Sequence, residues 1–165
     1  MITWFTPWRM SYLTAPRPET SGCLFCRMAG EDRDRENLIL HRGPKAFVVL
    51  NRYPYTNGHL MVVPYSHQAR IAGLAAQERS EVMQLASACE AAIEQAYRPD
   101  GLNAGMNLGT AAGAGIEGHL HLHILPRWHG DTNFLTVTGE TRIIPEDLAT
   151  TFERLAPLVR ARAGA

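Results

Sequence analysis

Hydrophobic residues recur at spacings of three and four between residues 76 and 97, and this period is typical of an amphipathic helix. The positions that carry the pattern are Val82, Leu85, Ala86, Cys89, Ile93, Ala96 and Tyr97. The pattern ends at Pro99, Asp100 and Gly101, which are residues that stop helices. We therefore predict one long helix over residues 76–97.

Shorter apolar runs of strand length lie on both sides of this helix. We predict strands at residues 38–41, 46–51, 59–64, 103–108 and 118–125. The turn formers Pro54, Asn57 and Gly58 separate the second run from the third, so we expect these two strands to pair antiparallel. Residues 136–144 are predicted to form a further hairpin around Gly139.

A second, shorter helix is predicted to begin at Pro145, because proline is favoured in the first turn of a helix. Glu146 and Asp147 follow, and carboxylates are favourable near the N-terminal end of the helix dipole. Its apolar face is formed by Leu148, Phe152 and Leu155. Pro157 is expected to end or kink the helix. Several antiparallel strands with one long and one short helix indicate an α+β domain.

The composition narrows the class of protein. Sixteen basic and 16 acidic side chains cancel among 165 residues, which argues against a polybasic nucleic-acid arm. A hydrophobic content of 45% is enough to form a core without disulfide bonds. No apolar run approaches the roughly 20 residues of a membrane span, and the first residues lack a secretory signal pattern. We expect a cytoplasmic protein that binds neither nucleic acid nor membranes.

The chain is expected to consist of three segments. Residues 1–22 form an aromatic N-terminal arm and a link rich in proline, serine, threonine and glycine. Residues 23–158 form the folded domain, and residues 159–165 form a C-terminal tail. Within the domain, residues 29–37 are dense in charge and lack an apolar period, so we predict a loop there.

Three histidines alternate with apolar residues in the predicted strand at residues 118–125. Successive side chains of a strand point to opposite faces, so His119, His121 and His123 share one face, with neighbours roughly 6.6 Å apart. Core packing explains such a row poorly, since each buried imidazole needs a hydrogen-bond partner. Two functions stay open: a metal triad, or a nucleophile toward phosphorus beside the glycine-rich loop of residues 109–118, whose amides hold phosphate oxygens.

Cys23 and Cys26 form a C-x-x-C pair, which in a reducing compartment indicates thiols or metal ligands. Two thiolates and two imidazoles would complete a closed structural zinc site. A redox pair and an incidental spacing are the alternatives. Cys89 lies within the helical pattern and is interpreted as a small buried hydrophobe.

The H-x-H-x-H motif and the following Pro126, Arg127 and Trp128 resemble the histidine triad (HIT) superfamily. Within it, segments 4–10, 50–64, 105–110 and 129–134 are most similar to bacterial diadenosine tetraphosphate (Ap4A) phosphorylases and their close relatives. The similarity runs from about residue 4 to residue 155. It implies an antiparallel sheet of about five strands with one long and one short helix, in a domain that dimerises.

The resemblance also implies roles for individual residues. His121 would attack the α-phosphorus and form a covalent nucleotidyl-histidine, and His123 would assist the leaving polyphosphate. Substrate contacts are implied for Asn51, Asn107, Gly113, Gly115, His123 and Trp128. A structural Zn²⁺ is implied on Cys23, Cys26, His67 and His119. His59 is interpreted as a structural residue.

Three positions depart from the family pattern. Asn51 stands where Asp is common in the wider family, and an amide can still hydrogen-bond the ribose hydroxyls. Ala114 replaces a loop glycine of the phosphorylase group, at the pocket for the phosphate acceptor. His123 stands where uridylyltransferase relatives carry glutamine, which argues against sugar-1-phosphate transfer.

We therefore expect an enzyme that cleaves dinucleoside polyphosphates through an intermediate on His121, with phosphorolysis favoured over hydrolysis. Phosphate would be the second substrate of a phosphorylase. The alternatives are a hydrolase of adenosine phosphoramidates or nucleotide conjugates, a non-catalytic nucleotide-binding zinc module, and a redox metalloenzyme. Because superfamily relatives pair their sheets across a dimer, we also expect a homo-oligomer.

Overall fold

The computed structural model describes residues 22–131 and 146–164, and the structural statements below concern these residues. Residues 1–21 of the predicted arm and link, and the predicted hairpin at residues 136–144, lie outside them. The elements in chain order are helices α1 (Leu24–Gly30) and α2 (Asp34–Asn37), strands β1 (Ile39–Arg42), β2 (Ala46–Leu50) and β3 (Leu60–Pro64), helix α3 (Ala76–Tyr97), strands β4 (Gly101–Gly105) and β5 (Leu122–Arg127), and helix α4 (Leu148–Ala163).

The five strands form one antiparallel sheet in the order β1-β2-β3-β5-β4. Strands β2 and β3 pair along their whole length, from Ala46 opposite Pro64 to Leu50 opposite Leu60. Strand β5 lies between β3 and β4 although it follows both of them in the chain. The predicted α+β class and the five-stranded antiparallel sheet are confirmed.

Both faces of the sheet are covered, which explains why β2 and β3 are apolar and buried at every position. One face packs against α3 and α4 in a large aliphatic cluster that includes Leu50, Val62 and Ile124. The other face carries a smaller cluster in which Val49 and Met61 meet Phe25 of α1. Met61 lies directly opposite His123, and such residues of an antiparallel pair share a face, so His123 belongs to the side of α1.

The helices agree with the sequence in the middle of the chain and differ near both ends. Helix α3 covers Ala76–Tyr97, as predicted. The predicted loop at residues 29–37 is wrong at both ends: residues 29 and 30 belong to α1, and the last four residues form α2, capped by Leu38 in the left-handed conformation. None of the described helices combines the length and the apolar character that crossing a membrane would require.

Helix α4 does not end at Pro157 but continues to Ala163. Pro157 is exposed, so the Glu153 carbonyl that loses its helical partner lies on the solvent side of the helix. The following turn is held by Val159, which is fully buried in the large cluster. Residues 159–163, which we expected in a tail, therefore belong to the helix.

Two strands differ from the prediction by two residues or more at each end. Strand β4 covers Gly101–Gly105 instead of residues 103–108, and β5 begins at Leu122 instead of residue 118. The backbone before β5 makes a different contact, because the N–H of Leu120 donates to the carbonyl of Gln68 at 2.7 Å. His119 and His121 therefore precede the strand that carries His123.

Candidate active site and metal centre

The three histidines of the motif form one row on the side of the sheet that α1 covers. The Phe25 ring lies 5.4 Å from the His119 ring and 5.1 Å from the His121 ring, measured between centroids. The His121 and His123 rings are 4.8 Å apart. All three side chains are buried, while Leu120 and Leu122 between them are buried as well. The predicted alternation of histidine and apolar residues therefore begins before β5, which starts at Leu122.

His121, at the centre of the row, is held by the backbone of its neighbour. Its Nδ1 lies 2.9 Å from the carbonyl oxygen of His119, and a carbonyl can only accept. The hydrogen of the neutral ring is therefore on Nδ1, and Nε2 keeps its lone pair. Burial lowers the pKa of His121, so the ring is neutral at physiological pH. This is the form that a nitrogen nucleophile requires.

His123 is paired with a fourth imidazole, that of His59. The two atoms His59 Nε2 and His123 Nδ1 are 2.9 Å apart, and both rings are buried. Burial, reinforced by the neighbouring His123, lowers the pKa of His59 to about 3. Burial, reinforced by His121, lowers the pKa of His123 to about 4. The pair is therefore a hydrogen bond between two neutral rings.

The interpretation of His59 as a purely structural residue missed this contact. His59 immediately precedes β3, and β3 is the neighbour of β5 in the sheet. Met61 lies opposite His123, which brings the side chain two residues earlier to the same face. The signal that could have identified His59 is this register, which depends on the strand order.

The second group of side chains surrounds His119, at the other end of the row. Its Nδ1 lies 3.3 Å from Cys23 Sγ and 3.6 Å from Cys26 Sγ, and Cys26 Sγ lies 3.4 Å from His67 Nδ1. All four potential ligand atoms lie within 4.8 Å of one another. A tetrahedral zinc ion with ordinary bond lengths separates sulfur and nitrogen ligands by about 3.5 Å. The predicted residues thus form a set that fits zinc.

The surroundings of this group also favour a metal. His119 Nε2 lies 2.8 Å from the carbonyl oxygen of Pro64, so it donates there and leaves Nδ1 unprotonated toward the sulfurs. Cys23 caps α1 and Cys26 lies in its first turn, three residues on, so both thiols reach the same side. Burial and the neighbouring Cys23 raise the pKa of the Cys26 thiol, and a divalent cation would reverse that preference.

Asn51, an expected substrate contact, lies beside the His59 and His123 pair. Its Oδ1 accepts from the backbone N–H of Tyr53 at 3.0 Å, and its Nδ2 is 3.2 Å from His59 Nδ1. Asn107 follows β4 by two residues, and Gly105 at the end of β4 pairs with His123. Asn51 therefore lies at the His123 end of the row. Asn107 lies two residues after Gly105, the residue that pairs with His123.

The other three expected substrate contacts lie in the loop after β4 and directly after β5. Gly113 has a φ of +88°, and its amide donates to the Thr110 carbonyl at 2.9 Å, within the loop that also contains Gly115. The ring of Trp128 meets the ring of Tyr97 edge-to-face at 6.4 Å. Tyr97 belongs to α3, which covers the opposite face of the sheet, so Trp128 is not brought to the histidine row.

The chain is similar in sequence to known proteins. The HIT domain model matches residues 33–130. The AP-4-A phosphorylase of Mycobacterium tuberculosis is 39% identical over 158 residues, which cover 92% of this chain and 81% of that protein.

Solved structures show the same fold. A zinc-bound histidine triad family protein from Mycobacterium smegmatis has a TM-score of 0.69 at 21% identity, covering 86% of this chain and 95% of that one. A hypothetical histidine triad nucleotide-binding protein from Sulfolobus tokodaii has a TM-score of 0.65 at 27% identity, covering 86% and 92%. From the family match, the relative and the histidine row together, the chain belongs to the HIT domain family.

Proposed function

We propose that this protein is an enzyme that transfers a nucleotidyl group from a dinucleoside polyphosphate of the Ap4A type, with inorganic phosphate as the acceptor. The observation that carries the proposal is the contact between His121 Nδ1 and the His119 carbonyl, which leaves His121 Nε2 as a buried, unprotonated nucleophile. The identity with a relative named AP-4-A phosphorylase supports the substrate class and the acceptor.

The first step forms a bond between His121 Nε2 and the α-phosphorus and breaks the bond from that phosphorus to the bridging oxygen. The leaving polyphosphate takes both electrons of the broken bond and departs as an anion. His123, which neighbours His121, is suited to stabilise the developing charge on the bridging oxygen by donating a hydrogen bond from its neutral ring. In the second step a phosphate oxygen attacks the same phosphorus and releases His121.

Burial of the row serves this chemistry in two ways. It keeps the imidazoles neutral and therefore nucleophilic, and it limits the access of water to the phosphorus–nitrogen bond of the intermediate. Splitting the displacement into two steps lets phosphate compete as the second acceptor.

Product analysis tests the acceptor. Phosphorolysis of Ap4A yields ADP, which contains the added phosphate, together with ATP, whereas hydrolysis yields AMP and ATP. We expect ADP when phosphate is present. AMP as the only second product at saturating phosphate would show that the protein is a hydrolase.

A rapid-quench experiment tests the intermediate. With Ap4A labelled in the α-phosphate, we expect label on the wild-type protein and on His129→Gln, which replaces an exposed imidazole outside the row. His121→Ala should trap none. An unlabelled wild-type protein that still turns over substrate would refute the covalent route.

We further propose that Cys23, Cys26, His67 and His119 hold one structural Zn²⁺. Four protein ligands would leave no open position, so the ion would tie α1 to the segment before β5 without taking part in the reaction. Elemental analysis is expected to give about one zinc per chain. Because the thiols must stay reduced to bind metal, we also propose a cytoplasmic location.

We propose that two copies pair through β4. This strand lies at one edge of the sheet, and its residues Asn103, Ala104 and Gly105 are exposed. They are small or uncharged, so charge repulsion does not protect the edge from a second strand. Sedimentation velocity is expected to give twice the mass of the 18.3 kDa chain, and a monomer at micromolar concentration would contradict the proposal.

A further inference from the structure

Phe25 lies between the two cysteines of the C-x-x-C pair, and its side chain is buried. It is 2% exposed and belongs to the smaller apolar cluster, on the same side of the sheet as the histidine row. Its ring meets the His119 ring edge-to-face, with 5.4 Å between the centroids. It meets the His121 ring at 5.1 Å, with an angle of 51° between the planes. One side chain therefore contacts both the proposed nucleophile and the metal-ligand group, which consists of Cys23, Cys26, His67 and His119.

The angle of the His121 ring depends on its packing. The hydrogen bond from Nδ1 to the His119 carbonyl, 2.9 Å long, fixes one atom of the ring. The torsion that turns a histidine ring about its Cβ–Cγ bond has a broad minimum, so contacts with neighbouring rings decide the final angle. These neighbours include Phe25 at 5.1 Å and His123 at 4.8 Å, measured between centroids. Loss of the Phe25 ring would let the His121 ring turn and move Nε2 out of line for attack on phosphorus.

Helix α1, which carries Phe25, depends on contacts at both of its ends. Its seven residues are too few for a helix that is stable by itself. At the C-terminal end, the Arg42 guanidinium donates to three backbone carbonyls at 2.7 to 3.1 Å. At the N-terminal end, the sulfur atoms of the two cysteines face His119 Nδ1 at 3.3 and 3.6 Å. Loss of a bound metal would therefore release the end that carries Phe25 and leave the other end held by Arg42.

We infer that Phe25 is a positioning residue through which the occupancy of the metal-ligand group controls the angle of the His121 ring. The inference rests on the proposed function, both for the metal and for the nucleophile. With the group occupied, the N-terminal end of α1 is fixed and Phe25 stays packed against His121. With the group empty, Phe25 moves and the His121 ring is free to turn. The metal thus supports the reaction without contact with the substrate.

A ¹H–¹⁵N correlation spectrum of the histidine side chains tests this coupling without substrate. Spectra of the full chain labelled in histidine are recorded with zinc and after its removal by a chelator, and His121 is assigned by comparison with His121→Ala. In the wild type we expect the ring signals of His121 to shift or broaden when zinc is removed. In Phe25→Leu, which keeps an apolar side chain without the ring, the response of His121 to zinc removal should be smaller.

The matched control is Phe47→Leu. Phe47 is fully buried in the same cluster, and its ring lies 5.5 Å from the ring of Tyr65. This variant should bind zinc and show the wild-type response of His121. Identical His121 signals in the wild type with and without zinc would overturn the inference, and this comparison needs no variant to fold. An undiminished response in Phe25→Leu would overturn it as well, because the coupling would then run through the His119 backbone.

Rapid quench with Ap4A labelled in the α-phosphate measures the consequence for the reaction. At saturating Ap4A, Phe25→Leu should form labelled protein roughly 10-fold more slowly than the wild type, while Phe47→Leu stays within about twofold. An unchanged rate at saturation with only a raised KM would overturn the inference, because Phe25 would then be a substrate contact. An unlabelled wild-type protein whose His121 still responds to zinc would instead refute the proposed function. A chain that takes up no zinc would refute the proposed metal site and the inference with it.

Discussion

His119 and His123 stand at the two ends of one row, yet their surroundings differ in kind. His119 meets two sulfur atoms and donates to a carbonyl, so its free nitrogen faces the two sulfur atoms. His123 meets another imidazole, and its second nitrogen remains available for a substrate. His121 between them has a backbone partner. Three identical side chains are thus suited to three different roles.

The difference shows that the roles come from the partners and not from the motif. Each ring has one nitrogen engaged by a different segment: Pro64 at the end of β3 for His119, the backbone of residue 119 for His121, and His59 before β3 for His123. The partner decides which nitrogen carries the hydrogen and therefore what the other nitrogen can do.

The largest effect is expected at the centre of the row. His121→Ala should lower the rate of Ap4A cleavage by roughly 10⁴-fold or more, because it removes the atom that forms the covalent bond. Steady-state kinetics measure the loss, and zinc content shows that the His119 end is still assembled. A rate within tenfold of the wild type would mean that another residue is the nucleophile.

Removal of metal should affect stability at the His119 end. If free zinc exceeds its Kd by about 1,000-fold, a strong chelator should lower the free energy of unfolding by about 4 kcal/mol, measured by urea denaturation. Cys26→Ser should lose the zinc and the response to the chelator. Cys89→Ala, which removes the buried thiol of α3, should keep both. A wild-type protein whose free energy of unfolding does not change with the chelator would contradict the zinc proposal.

At the His123 end of the histidine row, His59→Ala should lower kcat about 100-fold, because His123 loses the hydrogen bond that sets its tautomer. His59→Gln retains an N–H donor and should recover part of the rate. Zinc content should stay near one per chain in both variants. This result would show that the His123 end of the row can be changed without affecting the His119 end. Equal activity of the wild type and His59→Ala would return His59 to a purely structural role.

The smallest effect is on the pH dependence of stability. Burial holds the pKa of folded His59 at about 3 and of folded His123 at about 4, below the ordinary histidine value of 6.5. As the pH falls from about 6 to about 4, the unfolded chain binds protons that the folded protein does not bind. The free energy of unfolding therefore falls on acidification, by up to about 1.4 kcal/mol per pH unit for each ring.

The variant His59→Gln checks this slope, since it removes one of the two rings. Urea denaturation at pH 6 and pH 5 should show a shallower loss of stability than in the wild type, by up to about 1.4 kcal/mol per unit. His129→Gln, at an exposed site, is the matched control and should keep the wild-type slope. Equal slopes in all three proteins would show that His59 is not held neutral by the fold.

Local patterns predicted much of this molecule. The apolar period identified α3 with its observed bounds, and the turn residues before His59 predicted the pairing of β2 with β3. The predictions were wrong where packing between distant segments determines the ends of a helix or strand. Val159, buried against the sheet, carries α4 past Pro157, and the Gln68 carbonyl takes the N–H of Leu120 before β5 begins. These contacts cannot be predicted from the conformational propensity of a single residue.

The sequence by itself determined that three imidazoles share one face and that two cysteines are three residues apart, because both belong to a single stretch of backbone. Only the tertiary structure decided their partners. Cys23 meets His119 across 96 residues, and His59 meets His123 across 64. These contacts exist because β5 lies beside β3, although α3 and β4 separate the two strands in the chain. Strand order is a property of the whole packed domain and cannot be predicted from the periodicity of one segment.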